Sequence, residues 1–129
     1  MFKKIFILSI CAGIFSSVAC IVFDKVYFFA FEIEFKQLVN PLSLAAINIF
    51  ALVIAGIGYY FIRKWFRRDH EKIFNLLFVL LSFASILAPL SISLPLSIKN
   101  PEFFPGLAVP MHFFPAVSWF AVKPFFMKE

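Results

Sequence analysis

FALVIAGIGYYFIRKWFRRDHEKIFNLLFVLLSF, residues 50–83, sets two apolar runs on either side of a ten-residue link, Arg63 to Lys72, that holds seven formal charges. The run before the link carries no Asp, Glu, Lys or Arg back to Leu42, and the run after it carries none as far as Ile92. A helix of about 20 apolar residues crosses roughly 30 Å of hydrocarbon, so each run is long enough to span. A link this short and this charged predicts two antiparallel membrane helices with their turn left in water.

Two more uncharged runs, Ile5 to Phe23 and Phe104 to Val122, complete a set of four. The composition agrees: 63% of the 129 residues are hydrophobic, 21 are Phe, only 15% are charged and the mean hydropathy is +0.97. Soluble domains hold about 25% charged residues, so the solvent of this chain is lipid. Four spans with short connections use up the length. The expected fold is therefore all-α: one polytopic transmembrane domain over residues 1–129, a four-helix bundle with a proline-kinked fourth helix.

Charge orients it. Nine of the twelve basic residues flank one set of ends: Lys3 and Lys4, then Arg63, Lys64, Arg67, Arg68 and Lys72, then Lys123 and Lys128. Lys25, Lys36 and Lys99 lie at the other ends. By the positive-inside rule both termini are cytoplasmic, in what reads as a bacterial inner membrane. The net charge of +5 resides mostly in these short juxtamembrane pieces. That argues for contact with anionic headgroups at Arg63, Lys64, Arg67 and Arg68, each contributing about 1 kcal/mol, and against a nucleic-acid surface. His70, between Asp69 and Glu71, reads as a solvated residue of this turn.

Helix spacing locates packing surfaces. Ser9, Gly13, Ser17 and Cys20 recur at 4, 4 and 3 residues and form one small-residue stripe. Ala45, Asn48, Ala51, Ala55 and Gly58 do the same in the second run, and Asn75, Ser82, Ser85 and Pro89 less regularly in the third. Small residues let membrane helices approach closely, so these seams are expected to face one another while Phe, Leu and Ile face lipid. The stripe also bears on the N-terminus, where two lysines, an apolar core and SVAC at 17–20 look like a secretory signal with a lipoprotein-type cleavage cysteine. Ser17 stands where Leu is usual, and Ile21, Val22 and Phe23 follow Cys20 in place of a polar linker, so an uncleaved first helix is expected.

The connection from Asp24 to Pro41 is too charged to span but rich in aromatic residues. Its FEIEFK piece alternates with period two, while Phe28, Phe31, Phe35 and Leu38 also fit one helical face, so periodicity leaves strand and helix both open. The segment reads as interfacial, with Pro41 opening the second helix. KQLVNPLS at 36–43 together with PGLAVPMHFFPAVSW at 105–119 resembles small, uncharacterised bacterial integral membrane proteins of four spans. The resemblance implies that architecture and carries no activity.

No HExxH, phosphate-binding glycine loop, CxxC or paired intramembrane carboxylates occur, and no cofactor or catalytic residue is expected. His112 is the ionisable residue at membrane depth, which makes it a functional candidate. Pro110 and Pro115 withhold the amides that would bond the Gly106 and Met111 carbonyls, so a neutral imidazole has acceptors nearby. Asn48 and Ser85 are further candidate partners in this intramembrane polar site. The expectation is a His that ties a kinked helix into the bundle; the alternatives are a ligand pocket lined by Phe113, Phe114 and Trp119, or haem or metal ligation shared across a homodimer. Function is correspondingly expected to be that of a non-enzymatic membrane protein, an accessory subunit or homo-oligomer. A small channel or carrier at the fourth helix, or a membrane-embedded enzyme acting on a lipid or quinone, stands as the alternative.

Overall fold

The computed structural model describes residues 1–32, 40–91 and 104–127, apart from the side chain of Pro89. Among these residues the chain is all-helical: α1 Phe2–Phe31, α2 Pro41–Trp65, α3 His70–Ser85, α4 Leu87–Ser91, α5 Phe104–Met111 and α6 Phe114–Phe126. Among the described residues, three stretches are long and apolar enough to cross a membrane: Phe2–Phe31, Pro41–Trp65 and, taken together, α5 and α6 over Phe104–Phe126.

α1 outruns the uncharged segment that predicted it. Its 30 residues rise about 45 Å at 1.5 Å each, continuing through Asp24 and Lys25 for nearly two more turns. It stops at Glu32, which takes a left-handed φ of 56° and turns its amide onto the Phe28 carbonyl at 2.7 Å. The first part of the expected interfacial connection is thus helix; residues 33–39 lie outside the described residues. α2 starts at Pro41, where the missing amide costs nothing. Asn40 caps it, its side-chain oxygen accepting from the Leu42 amide at 2.9 Å.

The third run is not one helix. α3 has 16 residues, about 24 Å, and a turn at Ile86 separates it from the five residues of α4. Pro89 has no amide to return to the Ser85 carbonyl. The Ser82 and Ser85 hydroxyls also bond backward, to the carbonyls of Phe78 (2.8 Å) and Ser82 (2.7 Å), a habit that bends helices. The end of this run beyond Ser91 lies outside the described residues.

α1 is the axis of the fold, packing most extensively along α2 and next along α6. One core cluster gathers Ile5, Leu8, Ala12, Leu52, Tyr59, Phe74 and Trp119; a second gathers Cys20, Tyr27, Leu107 and Met111. Ser9, Gly13, Ser17 and Cys20 are all buried against α2 or their own helix. A Cβ on Gly13 would meet the Ile49 Cα at 2.9 Å, so the two backbones touch there.

On α2 the buried row is Asn48, Leu52, Gly56 and Tyr59; of the expected face Asn48 belongs to it and Ala55 packs half-buried against the first core cluster, while Ala51 is exposed. A Cβ at Gly58 meets nothing within 4 Å, whereas one at Gly56 would collide with the Ser9 hydroxyl. The glycine at the contact is therefore Gly56. Tyr59 fixes this rotation by turning inward to a carboxylate on α3, while Asn48, which lies on both rows, turns inward to Ser16.

Candidate functional site

The expected intramembrane site comes apart into three local arrangements. Asn48 accepts from the Ser16 hydroxyl at 2.6 Å and donates to the Leu44 carbonyl at 2.7 Å, with the Cys20 sulfur 3.6 Å away. Ser85 donates to Ser82 within its own helix. His112 is half-buried and its Nδ1 lies 2.7 Å from the Ala108 carbonyl. These three residues thus bond elsewhere and not to one another.

The His112 contact has a specific backbone cause. The helix is interrupted at His112 and Phe113, where the His112 amide reaches the Val109 carbonyl (3.1 Å) and the Phe113 amide the Pro110 carbonyl (3.0 Å). These are three-residue bonds in place of four-residue ones. The Ala108 carbonyl, which an unbroken helix would pair with the His112 amide, instead accepts from the His112 ring. A carbonyl can only accept, so Nδ1 carries the proton. The ring substitutes for its own backbone. Neither Gly106 nor Met111 supplies the expected acceptor; a Cβ on Gly106 would instead come 3.0 Å from the Tyr27 hydroxyl.

A denser constellation lies at the Arg63–Lys72 end of the molecule. Glu71, in the first turn of α3, accepts from the Tyr59 hydroxyl of α2 and from the Lys123 ammonium of α6. The His70 Nε2 lies 3.3 Å from the same carboxylate. Lys123 also stands 4.9 Å over the Tyr59 ring, a cation–π contact. Beneath this cluster the Tyr59 ring meets Phe74 and Trp119 edge-on, with centroids 5.0 and 5.7 Å apart. One carboxylate therefore joins three helices above an aromatic floor. Its oxygens are occupied by donors, which suits holding helices together and not abstracting a proton.

Sequence reading missed this cluster and misplaced one member. His70 is half-buried, its Nδ1 3.2 Å from the Arg67 carbonyl and its ring against Tyr59, so it is not a solvated turn residue. Packing against Tyr59 draws it inward. Glu71 and Lys123 are 52 positions apart, and local spacing cannot pair them. A signal did exist: both belong to ends that the basic residues assign to the same side, and a Tyr at the end of an apolar run needs a partner for its hydroxyl.

Beside the cluster opens a cleft of about 910 Å³. Lys4, Arg63, Arg68, His70 and Lys72 line it together with the carboxylates of Asp69 and Glu71 and the rings of Phe125 and Phe126; His112 takes no part in it. Among the described residues no group of three or more His, Cys, Asp or Glu side chains could hold a metal ion. The Trp119 Nε1 and the Asn75 Oδ1 are buried without a hydrogen-bond partner among the described residues. No family model, curated protein or solved structure matches the chain.

Proposed function

We propose that the chain is a four-span integral membrane protein without catalytic activity, an accessory subunit or homo-oligomer. Its spans are α1, α2, the broken pair α3 and α4, and the proline-kinked pair α5 and α6. Both termini and the Arg63–Lys72 link face the cytoplasm of a bacterial inner membrane. The observation that carries this reading is the division of the surface. Large apolar side chains such as Phe15, Val22, Phe50, Ile54, Leu81 and Phe83 are exposed along the helices, while Glu71, Lys123, His70 and most of the basic residues gather at one end. Apolar flanks with a charged end suit a bilayer and a headgroup layer. Impermeant-maleimide labelling of Arg68→Cys in intact cells tests the topology: no reaction until the cells are permeabilised is expected, and labelling of intact cells overturns it. Native mass of the purified chain distinguishes a homo-oligomer from a subunit that co-purifies with a partner.

A second reading, a small carrier, draws on one specific contact. The interruptions of the third and fourth spans are neighbours, with Phe83 meeting Phe113 edge-on at 5.3 Å. Adjacent discontinuous helices are where membrane carriers build binding sites. Under this reading Phe113→Ala abolishes transport in reconstituted vesicles; a vesicle impermeable to every tested solute with the unaltered chain counts against it.

A further inference from the structure

The cleft that Glu71 and Asp69 help to line also holds cations that no described carboxylate balances. Glu71 is engaged by Lys123, and Asp69 stands 3.7 Å from Lys72. Lys4, Arg63 and Arg68, from the start of α1, the end of α2 and the following link, have no carboxylate within ion-pair distance among the described residues. They surround an open space of about 910 Å³, within the usual size of a small-molecule site. Phe125, Phe126 and Met127, at and just past the end of α6, line the same space with hydrocarbon. Cations and hydrocarbon together in one cleft match an amphiphile with an anionic head.

We infer that this cleft binds the phosphate of an anionic glycerophospholipid, with Lys4, Arg63 and Arg68 around the phosphate and Phe125 and Phe126 against the start of an acyl chain. The Glu71–Lys123 pair removes a carboxylate that would otherwise repel the head, and it fixes the positions of α2, α3 and α6 around the cleft. The inference rests on the membrane reading above but is more selective than a general attraction of basic residues to headgroups. Lys64 and Arg67 sit in the same charged segment and do not line the cleft.

The test is a titration of the full chain in a neutral detergent with short-chain phosphatidylglycerol, read by native mass spectrometry. One lipid per chain is expected, in clear preference to the zwitterionic phosphatidylcholine. Arg63→Gln with Arg68→Gln should weaken binding about thirtyfold, at roughly fivefold per charge, while Lys64→Gln with Arg67→Gln, which removes the same net charge, should leave it within about twofold. Equal losses in the two double variants, equal binding of phosphatidylcholine, or displacement of the lipid by excess inorganic phosphate would each overturn the assignment. If the Arg63, Arg68 variant does not fold, Lys4→Gln, at the exposed start of α1, should show the single-charge loss, and unchanged affinity there overturns the inference equally. Labelling at position 68 separates the two readings. An outward position 68 with lipid selectivity kept defeats the topology alone, whereas a cytoplasmic position 68 without selectivity defeats the site alone.

Discussion

Glu71 is the residue on which the charged end depends. Breaking a buried ion pair costs about 3–5 kcal/mol, but the side chains here keep 12% and 24% exposure, so Lys123→Met should cost roughly 2–4 kcal/mol. Adding Glu71→Gln to that variant should restore part of the loss, because no uncompensated charge then remains. Thermal unfolding of the two single variants and the double closes the cycle, and additive losses would mean that the pair does not interact. His112 invites a different substitution. Its donating atom is Nδ1, which the side-chain nitrogen of Asn matches in reach better than that of Gln. His112→Asn should therefore keep the bond to the Ala108 carbonyl, while His112→Phe orphans that acceptor at about 1–3 kcal/mol. Equal melting points for the Asn and Phe variants would refute this role. The prolines and the His could be read in advance, since each acts on its own turn. The specific carbonyl could not, because it is set by which amide shifts to a three-residue bond.

Among the elements, the α1–α2 contact makes the clearest distinction. Gly13→Leu must displace the Ile49 backbone and Gly56→Leu must displace Ser9, so each should lower stability by about 1–3 kcal/mol. Gly58→Leu enters open space and should stay near zero. Melting curves in one detergent compare all three, and a Gly58 variant as damaged as the Gly56 variant would move the seam back to the Ala51, Ala55, Gly58 row. Small residues at helical spacing made the existence of a seam legible, and Asn40 with Pro41 made the start of α2 legible. The rotation of α2 was not legible, because Ala55, Gly56 and Gly58 are nearly equivalent by size, Asn48 lies on both rows, and only Tyr59, through its partner on α3, decides between them. The break at Ile86 was hidden for a similar reason. Pro89 announces a weakness in the third run, but apolar content alone reads straight across it.

For the whole molecule, helical class and bilayer-length apolar segments followed directly from composition, because those properties are sums over many residues. The Tyr59–His70–Glu71–Lys123 cluster is a property of closure: it exists only when α2, α3 and α6 come together, and no single stretch encodes it. Closure has an order in time. The chain is synthesised from its N-terminus at about 5–20 residues per second, and 52 positions separate Glu71 from the lysine that neutralises it, so the carboxylate waits roughly 3–10 s. During that interval α1 and α2 can already join through Ser16 and Asn48, which need nothing downstream. A ribosome-bound chain from which Lys123 has not emerged should accordingly label readily with maleimide at Phe74→Cys, a position buried against Tyr59 and Trp119 once the three helices meet, and one from which it has emerged should label slowly. Neutralising Glu71 is therefore the late step, and a chain cut short before α6 would leave that carboxylate at the junction of α2 and α3 without its cation.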